Sequence, residues 1–122
     1  IICEPGRYIC GEAVTLVTSV IGKAVRDGIQ WYYLDDGLYG SFSGRIYDHC
    51  VYPVITDRRA PQTEAVLAGP TCDSFDVIYK SCRLPSLDIG DKLYFPAMGA
   101  YCSVSATRFN GLAMAQIIPV DW

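Results

Sequence analysis

The sequence predicts a mainly β domain, a closed or sandwiched antiparallel sheet that occupies residues 1–122 as a single unit. Runs rich in β-branched and aromatic residues recur along the chain, and turn signals separate them at intervals of roughly 8–12 residues. Helical periodicity is weak. The sequence has no internal repeat, low-complexity tract or linker, so one domain is expected.

The clearest strands flank a turn at Arg26-Asp27-Gly28. The β-branched run VTLVTSVIGKAV precedes this turn, and the aromatic run IQWYYLDD follows it and closes at Asp36-Gly37. Residues 56–64, TDRRAPQTE, are charged and contain proline, which predicts an exposed loop. A helix is predicted only over residues 73–81, where Asp73 stands at a cap position. The remaining extended runs are IICE, RYICGE, GRIYDHCVYPVI, TEAVLAG, DKLYF, AYCSVSA and MAQIIPV.

Composition narrows the class of protein. The chain has 122 residues, 51% of them hydrophobic, which is enough to bury a core. A formal net charge of −3 gives no electrostatic footprint for nucleic acid or an anionic membrane. No apolar run approaches the ~20 residues of a membrane span, and no signal peptide is evident. Because the chain begins within a strand-like run and without Met, we expect a fragment of a longer protein.

Cysteine is abundant, and the even count of six would suit a disulfide framework in a secreted protein. However, four of the six lie within or beside apolar runs, and no pair has the spacing CxxC. The single histidine, His49, is too little for a Cys/His zinc site. We therefore predict reduced, mostly buried thiols, no metal site and a cytoplasmic protein.

Two short motifs contain charged groups beside glycine. Glu4-Pro5-Gly6-Arg7 places a carboxylate and a guanidinium around a rigid bend, and arginine suits a phosphate. On the motif alone, a tight turn with a local ion pair is the better interpretation. DDGLYGSF, residues 35–42, suits a hairpin turn, although Tyr39 could face a pocket.

Three further motifs are ambiguous in the same way. Asp48 in RIYDHC is more simply a solvent-facing or paired carboxylate. In GPTCDSFD, Asp73 disfavours the thiolate of Cys72, which makes that thiol a poor nucleophile but a usable proton donor. Tyr101 and Phe109 in MGAYCSVSATRFNG would by default belong to a β core. None of these motifs alone establishes a function.

Taken in order, EPGRY, YYLDDGLYGSF, YDHC, GPTCDSFD and MGAY…FNG resemble the C-terminal β-domain of the ornithine decarboxylase family. These are the eukaryotic-type, fold type III pyridoxal-phosphate decarboxylases of basic amino acids, which include bacterial lysine/ornithine enzymes. The resemblance covers Ile2 to Gly111. The related diaminopimelate branch typically has glutamate-serine-glycine-aspartate after the cysteine. Here the four residues Asp-Ser-Phe-Asp follow Cys72, which favours the diamine-forming branch.

The resemblance implies a cofactor, pyridoxal 5'-phosphate, and four residues that contact it. Glu4 would meet the pyridine nitrogen and keep it protonated, so that the ring acts as an electron sink. Gly6, Arg7 and Tyr101 would hold the cofactor phosphate.

The resemblance also implies how a diamino acid substrate is bound. Asp48 and Asp73 would grip its distal ammonium group, and Tyr39 and Phe109 would line that end of the pocket. Cys72 would protonate the α-carbon after carbon dioxide leaves. The juxtaposition of Cys72 and Asp73 then suits a thiol that must stay protonated until that moment.

The family's fold implies more than this chain contains. The resemblance implies a Greek-key-like β-domain preceded by a (β/α)₈ barrel, of which residues 1–10 would keep the end and the last strand. The barrel carries the lysine that binds the cofactor, and Lys23, Lys80 and Lys92 do not match its motif. The chain alone should therefore be inactive.

Assembly is implied as well. In the full protein, a homodimer would form two shared sites. Cys72, Asp73 and Tyr39 would reach into the partner's pocket, while Asp48 and Tyr101 would serve their own.

The reaction implied is ornithine to putrescine, a step of polyamine biosynthesis, and three alternatives stay open. The first is a lysine/ornithine decarboxylase of broader specificity, since one methylene in a pocket is worth only ~1–3 kcal/mol. The second is a non-catalytic homologue, like the antizyme inhibitors, that binds a partner protein. The third is a sister decarboxylase that acts on another carboxylated amine.

Overall fold

The computed structural model describes residues 1–121, and one six-stranded sheet dominates it. The prediction of a mainly β domain is confirmed. Along the sheet the strands lie in the order β3-β6-β1-β2-β4-β5. In chain order they are β1 (Leu16–Arg26), β2 (Ile29–Leu34), β3 (Ile55–Thr56), β4 (Thr63–Ala68), β5 (Val77–Leu84) and β6 (Lys92–Phe95).

Four of the five strand pairs are antiparallel, as predicted, but β2 and β4 run parallel. Parallel neighbours need a long crossover, because the chain must return to the end of the sheet from which it started. Residues 35–62 form this connection. They carry the one-turn helix α2 (Gly44–Tyr47) and cross to the far edge of the sheet, where β3 pairs with β6.

The hydrophobic core lies between the sheet and this crossover. Phe42 and Tyr52 of the crossover are buried, and the Phe42 ring packs edge-on against Phe95 of β6 with ring centroids 4.8 Å apart. The strands contribute fully buried aliphatic side chains to the same core, namely Val20, Leu34, Leu67, Ile78 and Leu93. Aromatic packing therefore anchors the crossover against the sheet.

Several predicted strands are not observed. IICE and RYICGE contain no strand, and Arg7–Cys10 instead forms a single helical turn, α1. Residues 44–47 are helical, residues 103–105 form a 3₁₀ turn, and residues 114–120 have no regular structure. Short apolar runs are compatible with either a helix or a strand, and a strand also needs a neighbour to pair with.

The predicted helix over residues 73–81 is wrong. Val77 begins β5, which pairs with β4 through Ala68 opposite Val77 and Leu67 opposite Tyr79. Burial of Ile78 and Tyr79 against the core outweighs the weak cap signal at Asp73. The strands predicted from TEAVLAG and DKLYF, and those on either side of Asp27, are confirmed.

The helices of residues 1–121 are all too short to cross a membrane.

Candidate functional site

The predicted site residues fall into two groups. Gly6, Arg7, Asp48 and Tyr101 come together in the first group. Tyr39, Cys72, Asp73 and Phe109 come together in the second, which also contains Asn110. Among residues 1–121, no hydrogen bond or ion pair joins a member of one group to a member of the other.

The first group is centred on the guanidinium of Arg7. Its Nη2 lies 2.5 Å from Oδ2 of Asp48, and its Cζ lies 5.4 Å from the centroid of the Tyr101 ring. Gly6 lies beside them, and a Cβ added there would come within 3.0 Å of the Tyr101 hydroxyl oxygen. The close approach explains why a glycine stands at this position. An arginine, a tyrosine hydroxyl and an accessible backbone therefore share one surface.

Two helical turns position this group. In α1, the Gly6 carbonyl accepts hydrogen bonds from the N–H groups of Ile9 and Cys10, at 3.0 and 3.2 Å, and Arg7 lies at the start of this turn. Asp48 directly follows α2 as its C-cap, and the hydroxyl of Ser43, the N-cap residue before α2, donates to the Tyr101 carbonyl at 3.2 Å. Thus α2 connects Asp48 to Tyr101.

Glu4, the fourth residue predicted to contact the cofactor, precedes α1. It is exposed and makes no hydrogen bond or ion pair with the described residues. The structure therefore brings together three of the four predicted cofactor residues, together with Asp48, which was predicted to contact substrate.

The second group is built around Asp73. The Tyr39 hydroxyl donates a short hydrogen bond to Oδ2 of Asp73, and Oδ1 accepts from the Phe75 N–H at 2.9 Å. The hydrogen bond from Tyr39 lowers the pKa of Asp73, with a smaller contribution from Phe75, and raises the pKa of Tyr39. The Tyr39 ring stacks on Phe109 with centroids 4.3 Å apart. Asp73 is therefore fixed as an ionised carboxylate beside an aromatic pair.

Cys72 lies next to this carboxylate on an exposed loop. Its sulfur accepts a hydrogen bond from the side-chain amide of Asn110, with a nitrogen–sulfur distance of 3.3 Å. Sequence reasoning missed Asn110, since its only signal was the dipeptide Asn-Gly after Phe109, which is typical of a turn.

A second residue that sequence reasoning missed is Asp76, which is buried with 2% of its surface exposed. Its Oδ1 accepts a hydrogen bond from the Leu38 N–H at 2.7 Å. Its Oδ2 accepts two hydrogen bonds from Thr71, one from the hydroxyl at 2.8 Å and one from the backbone N–H at 3.2 Å. Asp76 therefore joins the loop that carries Tyr39 to the loop that carries Cys72 and Asp73. A Cβ at Gly37 or Gly69 would come within 2.4 Å of this carboxylate, so both loops need glycine there.

All six cysteines are free thiols, but the prediction that they are mostly buried is wrong. Only Cys102 is buried, and Cys50 and Cys82 are half-buried. Cys3, Cys10 and Cys72 are exposed because they lie outside the hydrophobic core, whereas the other three cysteines belong to that core or pack against it. Burial raises the pKa of the Cys82 thiol to about 11. No cluster of three or more His, Cys, Asp or Glu side chains suited to a metal ion occurs in residues 1–121.

Comparison with known proteins identifies the family. Residues 7–99 match the sequence model of the pyridoxal-dependent decarboxylases, C-terminal sheet domain. The chain belongs to this decarboxylase family. The resemblance drawn from the motifs is thereby confirmed, and so is the expected architecture of a fold type III C-terminal domain.

Individual relatives place the chain within the decarboxylase family. It is 51% identical to the lysine/ornithine decarboxylase of Selenomonas ruminantium, covering 94% of this chain and 29% of that protein. It is 38% identical to the chloroplastic ornithine decarboxylase of Nicotiana glutinosa, covering 97% of this chain and 30% of that protein.

A solved structure agrees closely with the fold. The lysine/ornithine decarboxylase of Vibrio vulnificus, complexed with cadaverine, superposes with a TM-score of 0.94 at 51% identity. That match covers 98% of this chain and 33% of the other chain, and the same enzyme has also been solved with putrescine. The chain thus spans about a third of the length of these decarboxylases.

Proposed function

We propose that this chain is the C-terminal part of a pyridoxal-phosphate-dependent decarboxylase that converts ornithine to putrescine and lysine to cadaverine. One observation carries the proposal: the chain retains two intact but separate sets of residues, one suited to a phosphate and one suited to an amino-group cation. Identity of 51% to two lysine/ornithine decarboxylases supports activity on both amino acids.

The first group fits pyridoxal phosphate. A guanidinium has five N–H donors, and the ion pair of Arg7 with Asp48 leaves most of them free for phosphate oxygens. The Tyr101 hydroxyl adds another hydrogen-bond donor next to the backbone of Gly6, since it lies 3.0 Å from where a Cβ at Gly6 would stand. When bound, the cofactor supplies an electron sink for the pair left on the α-carbon by loss of carbon dioxide. Glu4 would hold the ring nitrogen in its protonated form.

The second group fits the distal ammonium of a diamino acid. Asp73 has a lowered pKa, so it stays ionised at neutral pH, and its neighbours Tyr39 and Phe109 form an aromatic wall for the methylene chain. Asp48 would be the second carboxylate for the same ammonium, held in place by Arg7.

Cys72 delivers the proton in this proposal. Its S–H bond breaks, the bonding electrons remain on sulfur, and the proton forms a C–H bond with the α-carbon after decarboxylation. The exposed position of Cys72, beside the carboxylate that binds the substrate, supports this role.

We further propose a homodimer with shared sites in a reducing compartment, the cytoplasm. The lack of any direct bond between the two groups in residues 1–121 supports sites completed by a second subunit. Six free thiols support the compartment, because disulfides persist mainly in oxidising environments. The product diamines support a role in polyamine biosynthesis. No observation favours a non-catalytic homologue.

The test uses the full-length protein that contains this chain, saturated with pyridoxal phosphate. Evolution of carbon dioxide is measured from ornithine and lysine, and from norvaline and norleucine, which lack the distal amino group. We expect decarboxylation of both diamino acids, and Asp73→Ala should lower kcat/KM for them by about tenfold or more while norleucine is little affected. Asp57→Ala, outside both groups, is the control. Failure to decarboxylate ornithine, or failure to decarboxylate lysine, would refute the proposal.

A further inference from the structure

We infer that Asn110 is a positioning residue for Cys72: its side-chain amide donates to the sulfur, orients the thiol and stabilises the thiolate that remains after proton transfer. This inference rests on the proposed function, in which Cys72 is the proton donor. Asn110 would touch neither substrate nor cofactor in this role, and it would act only through the sulfur.

The contact between the two side chains is direct. Asn110 Nδ2 lies 3.3 Å from Cys72 Sγ, within the range for a hydrogen bond to sulfur. Because the sulfur is the acceptor, the single S–H proton of Cys72 is not used in this contact and remains available to the reacting carbon. The same amide N–H is retained as a donor when the sulfur becomes negatively charged, and such a bond favours the charged form.

The backbone around Asn110 is built to hold this amide in place. Asn110 adopts the left-handed conformation, with φ 58° and ψ 17°, which asparagine and glycine tolerate better than other residues. Three residues earlier, the N–H and hydroxyl of Thr107 both donate to the Tyr39 carbonyl, at 2.8 and 2.9 Å. Residues 107–111 are therefore fixed to the loop that carries Tyr39, and Asn110 reaches Cys72 from there.

The electrostatics of the loop explain why such a donor is useful. The carboxylate of Asp73 follows Cys72 directly in the chain, so the sulfur that gives up its proton would stand beside a like charge. Both oxygens of that carboxylate are already bonded, to the Tyr39 hydroxyl and to the Phe75 N–H. Among residues 1–121, the side-chain group that donates a hydrogen bond to the sulfur of Cys72 is the amide of Asn110. Once the S–H bond has broken, the thiolate keeps the electron pair until it regains a proton from water.

Two substitutions separate the amide from the backbone conformation. Asn110→Asp keeps the size of the side chain and its tolerance for left-handed φ, but replaces the N–H donor with an acceptor. Asn110→Gly also permits left-handed φ, but removes the side chain altogether. Asp27→Asn is the matched control, because Asp27 also has positive φ, 51°, but lies in the turn between β1 and β2.

The first measurement is made on the full-length holoenzyme with ornithine or lysine as substrate. If the proton misses the α-carbon and reaches the cofactor instead, an aldehyde forms in place of the diamine. We expect both Asn110 variants to raise the aldehyde fraction several-fold, and Asp27→Asn to leave it unchanged. An unchanged fraction in both Asn110 variants would overturn the inference, provided that Cys72→Ala raises it.

The second measurement does not depend on turnover. Alkylation of Cys72 by iodoacetamide is followed by quantifying the labelled peptide as a function of pH. Loss of a charge-assisted hydrogen bond should slow this alkylation by about tenfold at pH 7, because less thiolate forms. Equal alkylation rates in wild type and both variants would also overturn the inference. If Cys72→Ala gives no aldehyde, the proposed role of Cys72 fails, while the alkylation rates still decide whether Asn110 acts on its sulfur.

Discussion

At the scale of single residues, the site depends on Asp76, a buried carboxylate that the proposed reaction does not use. It accepts three hydrogen bonds, from the Leu38 N–H and from the N–H and hydroxyl of Thr71. These bonds set the distance between the loop of Tyr39 and the loop of Cys72 and Asp73. The positions of Tyr39, Cys72 and Asp73 therefore rely on a buried acceptor behind them.

Asp76→Ala should loosen both loops without unfolding the sheet. Removing the acceptor leaves the buried N–H of Leu38 and the half-buried N–H of Thr71 unpaired, at a cost of about 1–3 kcal/mol for a fully buried unsatisfied group and less for a half-buried one. Amide hydrogen exchange of the full-length protein should accelerate by about tenfold or more in residues 36–42 and 69–76. Exchange in β1 and β6 should stay the same, and Asp57→Ala serves as an exposed control. Unchanged exchange in both loops would show that Asp76 does not join them.

At the scale of elements, helix α1 is attached to the sheet domain through a close backbone contact. The Gly99 N–H donates to the Gly11 carbonyl at 2.9 Å, and a Cβ at Gly99 would lie only 1.7 Å from the carbonyl oxygen of Cys10. No rotamer change relieves a clash with backbone, so residue 99 must be glycine for α1 to remain in place. Because α1 carries Arg7, this contact also positions the proposed phosphate site.

Gly99→Ala should therefore displace α1 and weaken cofactor binding. The expected result is a lower affinity of the full-length protein for pyridoxal phosphate, measured by titration of the apoenzyme. Gly22→Ala is the matched control, because its Cβ would make only an ordinary contact, 3.5 Å from the Tyr33 ring. If the two variants bind the cofactor equally well, the position of α1 does not depend on Gly99.

Ion pairs connect the loop between β3 and β4 to the turn before β6. Arg58, in the loop between β3 and β4, forms ion pairs with Asp88 and Asp91 in the turn before β6, at 3.0 and 2.7 Å. Hydrogen bonding to Lys23 lowers the pKa of Asp88, and hydrogen bonding to Arg58 lowers the pKa of Asp91. Both carboxyls would therefore remain mostly ionised when the pH falls slightly below 3.8, the ordinary pKa of an aspartate side chain.

The pH dependence of stability follows from these directions. A lowered pKa in the folded state contributes stability that is present above the ordinary value and is lost as pH falls through the lowered one. Asp91→Asn should therefore be less stable than wild type at neutral pH, with the difference shrinking as the pH falls below about 4. Thermal unfolding across this pH range, with Asp27→Asn as control, measures the effect. High salt should reduce the difference, and a pH-independent difference would contradict the ion-pair explanation.

How far the sequence predicts these elements depends on the type of signal. The β-branched and aromatic runs around Asp27-Gly28 predict β1 and β2 because residue type and turn chemistry agree. The segment around Ile78 was predicted to be helical from the cap signal at Asp73, but it forms a strand because it pairs with β4 and buries Ile78 in the core. The parallel pairing of β2 and β4 likewise depends on where the crossover packs, which no local pattern encodes.

The site residues also divide into those that local motifs predict and those that only contacts in the folded chain reveal. Arg7, Asp48, Cys72 and Asp73 were identified because they stand in motifs that keep their order along the chain. Asp76 and Asn110 were missed because their roles consist of contacts across 38 residues of sequence, to Leu38 and to Cys72. The separation into two groups was expected from the family resemblance, but the ion pair between Arg7 and Asp48 was visible only in the folded chain.

In the whole molecule, the proposed homodimer would place the two groups in different active sites. The group of Arg7 and the group of Cys72 are each internally bonded but not bonded to each other in residues 1–121. In a two-fold symmetric dimer, each site would then take Arg7 from one subunit and Cys72 from the other.

Subunit mixing tests this claim most directly. Full-length Arg7→Ala and Cys72→Ala proteins, each of low activity alone, are mixed under conditions in which exchange of subunits is verified by mass spectrometry. Each hybrid dimer would have one site with both substitutions and one intact site, so about a quarter of wild-type diamine formation should return in an equal mixture. Mixing Cys72→Ala with Asp73→Ala, two members of the same group, should restore nothing. If the Arg7→Ala and Cys72→Ala mixture also stays inactive after verified exchange, both groups belong to the same subunit's site, and sites shared between subunits are ruled out.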